Sequence, residues 1–268
     1  MRRNEQQKDK RARSPRAVSE QTDFAENSFI TGRNPVMEAL KSGRTIDKIY
    51  VQKGEGQGSI VKIRAMAQDK KITVVEADRR KLDEMSGGAN HQGVAALIPP
   101  VEYAEVKDIL DIAEKKGEKP FIVVLDEVED PHNLGSIIRT ANGAGVHGII
   151  IPKHRSTGIT AAVAKTAAGA CFYTPVARVT NLVRTMQELK EKGVWFYGAD
   201  MNGEKTVFET DFSGGVGIVV GNEGKGISRL VKEECDFLVN IPMLGEIESL
   251  NAAVSAGIFM YQAASKRK

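Results

Sequence analysis

Three segments of this 268-residue chain hold the side chains best suited to chemistry. The first, LDEVEDPHNLGSIIRTANGAG, carries Asn133 and, further on, Arg139. The second, VVGNEGKGIS, sets Glu223 among Gly221, Gly224 and Gly226. The third, IPMLGEIESLNAAVSAGIFMYQ, brings Ser249, Leu250 and Asn251 ahead of an apolar stretch. Together they offer a permanent cation, a carboxylate, two amides and a hydroxyl. A guanidinium suits a phosphate or a developing oxyanion, whereas the carboxylate and amides suit orientation by hydrogen bonding. Each residue also has a plain structural use. Asn133 and Ser249 fit helix N-caps, Gly145 fits a helix stop, and Arg139 fits the solvent face of an amphipathic helix.

Several other chemistries lack their patterns. The glycine loop is neither GxGxxG nor GxxxxGK[ST], which weakens dinucleotide-oxidoreductase and P-loop readings. His91, His132, His147 and His154 show no HExxH or similar spacing, so no metal site is expected. Cys171 and Cys235 lie far apart and outside any CxxC pattern, and they read as small buried apolar residues.

The elements that must position these loops follow from hydrophobic patterning. From Phe121 the runs FIVVLDE, HGIII, FYTPV, VWFYGA, VGIVVG and DFLVNIP recur with helical segments between most of them. Strands apolar at successive positions are covered on both faces, which predicts an α/β fold with a mostly parallel sheet. Each motif loop leaves one of these strands, and ligand sites in such sheets form at carboxyl ends of strands. The first loop is expected to enter a helix near Asn133 or Leu134, with Arg139 about two turns inside. The third enters a terminal helix at residues 249–251.

Ahead of this lies a smaller α/β unit over residues 28–98. Asn34 and Pro35 begin a helix with Val36, Ala39 and Leu40 on its apolar face and Gly43 as its stop. Strands are expected at 48–52, 72–76 and 93–98, with a helix at about 59–68. A linker with a charged helical segment spans residues 99–119, and the larger domain runs over 120–268. Residues 1–27 form an arm whose first sixteen positions hold seven basic and two acidic side chains, within a formal net charge of +3 for the chain. Such a segment is expected to be disordered, serving either as a clamp on RNA phosphates or as a solubilising tail. With no apolar run near the roughly 20 residues of a membrane helix, the expected compartment is the cytoplasm.

Taken jointly, the three loops resemble the motifs of the SpoU (TrmH) family of the SPOUT superfamily, RNA ribose 2'-O-methyltransferases that use S-adenosylmethionine. The resemblance runs from about Ser28 onward. It matches Asn133 and Arg139 to the first motif, Glu223 to the second, and Ser249 and Asn251 to the third, and implies that all five are catalytic-site residues. It further implies a C-terminal trefoil knot and cofactor contacts from the backbone near Ala199, Gly221, Ile241, Met243 and Leu250. The small domain is similar to the family's RNA-binding domain, with Arg33, Arg44 and Lys48 as candidate RNA contacts. A homodimer packed through the apolar helix at 252–261 is implied as well. The two-domain form resembles the subfamily that methylates a guanosine of large-subunit (23S) rRNA, with tRNA as the alternative substrate. On this reading Arg139 is central, either as general base or, in better accord with an arginine pKa near 13, as the group that holds a phosphate and stabilises the 2'-oxygen. Solvent or a phosphate oxygen is then the base. A non-catalytic RNA-binding protein would not need all five residues.

Overall fold

A computed structural model of the chain describes residues 29–267, so the basic arm expected at 1–27 lies outside the described residues. The first unit comprises β1 (Phe29–Thr31), α1 (Arg33–Lys41), β2 (Lys48–Gln52), α2 (Ser59–Asp69), β3 (Val74–Ala77), α3 (Arg79–Met85) and β4 (Val94–Leu97). Alternation in KIYVQ buries Ile49 and Val51 of β2 on one face, and α1 turns Pro35, Val36, Ala39 and Leu40 inward. The strands lie in the order β1-β4-β2-β3, and only β2 and β3 run parallel.

Next comes α4 (Val106–Lys116), within the stretch expected to link the two units. Its start is braced by the Asp108 carboxylate, which accepts from the Glu105 N–H at 2.8 Å, and it stops at left-handed Gly117. Buried Ile109 presses on Gly148, where a Cβ would lie only 2.4 Å away. The charged face of α4 is thus backed by an apolar one seated on the second unit.

That unit contains β5 (Phe121–Leu125), α5 (Pro131–Ala144), β6 (Gly148–Pro152), α6 (Ala161–Thr166), β7 (Val176–Val179), α7 (Leu182–Lys190) and β8 (Val194–Ala199). It continues with β9 (Lys205–Thr206), β10 (Gly215–Val220), α8 (Arg229–Glu233), β11 (Phe237–Asn240) and α9 (Ala252–Lys266). Every side chain of β5 and every residue of β10 is buried, as their unbroken apolar runs require. The order is β7-β6-β5-β10-β8-β11-β9, and all the pairings are parallel. The run FYTPV departs from expectation. Its strand begins only at Val176, because left-handed Gly169 starts a short 3-10 turn over Ala170–Phe172 and Pro175 has no N–H for a ladder.

This order contains a switch point. From β5 the chain moves outward through β6 and β7, and β10 returns to lie against the other side of β5. A crevice therefore opens above the carboxyl ends of β5 and β10. The two units meet elsewhere, where the Tyr173 hydroxyl donates to the Glu38 carboxylate at 2.9 Å and Gly169 leaves no room for a Cβ beside Glu38. Burial, followed by the Glu38 carboxylate, pushes the Tyr173 hydroxyl up to about 12. Among the described residues no helix is long and apolar enough to cross a membrane.

Candidate active site

The loop leaving β5 enters α5 two to three residues earlier than expected. Asp130, not Asn133, is the N-cap: its side chain accepts from the His132 N–H at 2.9 Å, and Pro131 occupies the first helical position. Asn133 therefore sits in the first turn, buried, with its amide free to reach across the crevice. Gly145 ends α5 in the left-handed conformation, as its position suggested.

Beyond β10 the chain doubles back on itself. Asn222 and Gly226 exchange backbone hydrogen bonds at 3.0 and 2.8 Å, and the Asn222 side-chain oxygen accepts from the Gly224 N–H at 2.9 Å. The amide of Asn222 donates to the Glu127 carbonyl at 3.1 Å, tying this loop to the one after β5. Glycine is required at two points of the loop. Gly226 has φ +67°, and a Cβ on Gly221 would fall 2.2 Å from the Gly226 backbone. The fold-back presents Glu223 at the loop's tip.

In the third loop the cap is again shifted, from Ser249 to Asn251. The Asn251 oxygen accepts from the N–H groups of Ala253 and Val254 at 2.9 and 3.3 Å, which starts α9. Its amide donates to Glu223 Oε1 at 2.6 Å and to Asn133 Oδ1 at 2.9 Å. Asn133 Nδ2 donates to the same Glu223 oxygen at 2.6 Å. Three residues from three loops thus close a ring of hydrogen bonds over the β5–β10 crevice. One carboxylate satisfies two amide donors, and each of those bonds is charge-assisted.

Beside this ring opens a cavity of about 860 Å³. Its lining includes all five residues expected to contact cofactor, namely Ala199, Gly221, Ile241, Met243 and Leu250, together with Glu223 and Ser249. The lining suits an adenosyl sulfonium: backbone polar groups of the folded-back loops alternate with the apolar side chains of Ile241, Met243 and Leu250, and the volume suits a cofactor-sized ligand. Arg139 stands apart. It is exposed, about 9 Å further along α5 than Asn133, and makes no hydrogen bond or ion pair among the described residues. Ser249 is likewise exposed and makes no hydrogen bond among them. Asn133, Glu223 and Asn251 hold one another, and none of them is hydrogen-bonded to Arg139 or Ser249. The reason is rotational, since six residues carry Arg139 to a different face of the helix from Asn133.

Sequence reading also passed over Asn222, whose position between Gly221 and Glu223 in an Asn-Glu-Gly run is a turn signal. It missed Asp126, a buried carboxylate accepting from the Ser228 N–H at 2.7 Å and so anchoring α8. Of the three candidate RNA contacts, Arg33 donates to the Gln92 carbonyl and pairs with Glu55 at 3.2 Å, and Arg44 lies over the Phe172 ring. Both are engaged within the chain. Burial pushes the Cys171 and Cys235 thiols up to about 11 and about 12; Cys171 is fully buried as expected and Cys235 is partly so.

Comparison with known proteins agrees with this fold. Residues 120–261 match the SpoU rRNA Methylase family, and residues 29–104 match the family described as RNA 2'-O ribose methyltransferase substrate binding. The chain is 46% identical over 242 residues to YacO of Bacillus subtilis, whose name places it in the TrmH family of tRNA/rRNA methyltransferases; the match covers 90% of this chain and 97% of that one. A Staphylococcus haemolyticus protein named for the same family is also 46% identical over 242 residues, with the same coverage. Among solved structures, the AdoMet-bound rRNA methyltransferase of Sinorhizobium meliloti superposes with a TM-score of 0.71 at 27% identity, covering 88% of this chain and 85% of that one. The SpoU methyltransferase AviRb of Streptomyces viridochromogenes in complex with AdoMet shares the fold with a TM-score of 0.73 at 24% identity, over 88% and 89% of the two chains. The chain therefore belongs to the SpoU (TrmH) family of S-adenosylmethionine-dependent RNA methyltransferases.

Proposed function

We propose that this protein methylates a ribose 2'-hydroxyl of RNA, with a guanosine of 23S rRNA as its target. The observation that carries this reading is the Asn133–Glu223–Asn251 ring, closed at a switch point beside a cavity of cofactor size. The match of residues 29–104 to a ribose-methyltransferase substrate-binding family supports the ribose oxygen as acceptor.

The loop backbone at Ala199, Gly221, Ile241, Met243 and Leu250 would hold S-adenosylmethionine, which would supply a methyl group already activated by its sulfonium. What remains for the protein is to align the hydroxyl and help remove its proton. The ring fixes the three loops against one another, so the wall beside the cofactor keeps its shape. Ser249, exposed in the cavity lining, offers a hydroxyl to the ribose. Arg139 contributes a permanent positive charge that holds a substrate phosphate and stabilises charge on the 2'-oxygen, while solvent or a phosphate oxygen takes the proton.

The active form in this reading is a homodimer. Val254, Gly257 and Tyr261 lie along one face of α9 at helical spacing, and Val254 and Tyr261 are exposed. Gly143 of α5 adjoins Tyr261, and Arg139 lies one turn before Gly143. A two-fold contact over this stripe buries the apolar residues and places Arg139 at the seam. The knot implied by family resemblance would thread the segment carrying Ser249 and Asn251 through a loop. Cytoplasmic rRNA is the substrate pool, gripped by the small unit and the basic N-terminal arm.

The reading is tested by incubating the purified protein and labelled S-adenosylmethionine with unmodified rRNA and tRNA and mapping the methylated nucleotide. Label on a 2'-oxygen of a 23S rRNA guanosine is expected. Label on tRNA alone, or on a base atom, overturns the corresponding part.

A further inference from the structure

The same cavity is lined by an ion pair with no part in the mechanism above. Asp200 follows β8 directly and lines the cavity with Lys232 of α8. Their charges meet at 2.6 Å, and the Asp200 side chain is only 12% exposed. The other carboxylate oxygen accepts from the Asn202 N–H at 2.9 Å. The turn that carries Asp200 is pinned: its N–H donates to the Val239 carbonyl, Gly203 packs on the backbone of Val239 and Asn240 with no space for a Cβ, and Asn240 donates to the Gly203 carbonyl at 2.7 Å. Burial alone would raise the Asp200 pKa, but the bonds from Lys232 and Asn202 outweigh it and hold the group below the usual carboxylate range.

We propose that Asp200, oriented by Lys232, accepts hydrogen bonds from the ribose diol of the bound adenosyl cofactor and is a positioning residue for it. This rests on the cofactor reading of the cavity. The placement follows from strand order. The ring stands above β5 and β10, whereas Asp200 stands above β8, one to two strand spacings away, or about 5–10 Å. A sulfonium centre bound near the ring would put the sugar hydroxyls, a few bonds distant, within reach of Asp200. Charge selects the diol over the cofactor's ammonium group. With Lys232 already neutralising it, Asp200 has little net attraction for a second cation but keeps lone pairs for neutral O–H donors. A carboxylate at a strand end serves the same purpose toward nucleotide ribose in doubly wound folds.

The test is calorimetric titration of the full-length protein with S-adenosylhomocysteine, its 2'-deoxy and 3'-deoxy analogues, and 5'-methylthioadenosine, which keeps the diol but lacks the amino acid. The wild type should lose about tenfold to a hundredfold in affinity for at least one deoxy analogue, as expected for a lost bond to a charged acceptor. Asp200→Asn should weaken S-adenosylhomocysteine and methylthioadenosine by similar factors and the affected deoxy analogue no further. Lys232→Met, which leaves the carboxylate in place, should retain discrimination against the deoxy analogue. Equal wild-type affinity for all adenosyl homocysteine compounds overturns the proposal without any variant. So does an Asp200→Asn penalty that disappears with methylthioadenosine, which would assign Asp200 to the ammonium. Wild type that binds no S-adenosylhomocysteine overturns the cofactor reading along with it.

Discussion

Replacing Glu223 by alanine removes the one acceptor shared by Asn133 and Asn251. Both bonds to it measure 2.6 Å, and the bond from Asn251 to Asn133 at 2.9 Å survives, so one amide of the ring keeps a partner. Charge-assisted hydrogen bonds contribute about 1.5–3 kcal/mol when shielded, but Glu223 is exposed, and about 1 kcal/mol for each is the reasonable figure. The expected loss of stability is about 2 kcal/mol, which for a chain of this size lowers Tm by roughly 4–8 °C. The effect on reaction should be much larger. The ring joins the starts of α5 and α9 to the β10 loop, and a displacement of about 1 Å among groups that align reactants costs on the order of a hundredfold in rate. Single-turnover transfer of labelled methyl to rRNA, measured at a temperature well below the variant's Tm, separates the two effects. A double-mutant cycle with Asn251→Ala should show strong non-additivity, because the second change finds its partner already gone. A Glu223→Ala enzyme with the expected fall in Tm but a single-turnover rate within twofold of wild type would refute the reasoning and reduce the ring to a structural clasp.

Gly221→Ala drives a Cβ into the Gly226 backbone at 2.2 Å, so the loop must open; loss of S-adenosylhomocysteine binding by at least tenfold and destabilisation of about 1–3 kcal/mol are expected, by calorimetry and thermal unfolding. Arg139→Ala, exposed and without partners among the described residues, should leave Tm and cofactor affinity unchanged yet lose most methyl transfer, and near-normal single-turnover rates would remove Arg139 from the mechanism. Buried His147 accepts from the Phe121 N–H at 3.0 Å and pairs with Glu118, and burial holds its pKa below the ordinary 6.5. The unfolded chain therefore takes up a proton there before the folded one does. Stability contributed by neutral His147 is complete above about pH 6.5 and falls as pH drops below it, so Tm measured from pH 7.5 to 5.5 should decline more steeply in wild type than in His147→Gln.

Much of this molecule was legible before any coordinates. The runs FIVVL and GVGIVV read as strands covered on both faces, because neither carries a polar side chain that could face water. The motif loops announced themselves by composition, and the five expected cofactor contacts all line one cavity. Local punctuation was less secure. Asp130 and Asn251 took the caps offered to Asn133 and Ser249, since Asp, Asn and Ser compete for that role on nearly equal terms and the winner is set by where the rest of the turn is anchored.

Only tertiary structure could decide what the loops do to one another. Asn133 and Asn251 meet at Glu223 because β10 returns beside β5, and nothing in a run of valines and isoleucines states which other run it will pair with. The same holds for Asp200 and Lys232, which come together because β8 lies between β10 and β11. Helical rotation likewise turned Arg139 outward, away from the face of α5 that carries Asn133. Periodicity and turn chemistry act over a few residues and are written along the chain, whereas strand order is a global choice among near-equivalent pairings, settled by packing the whole core at once.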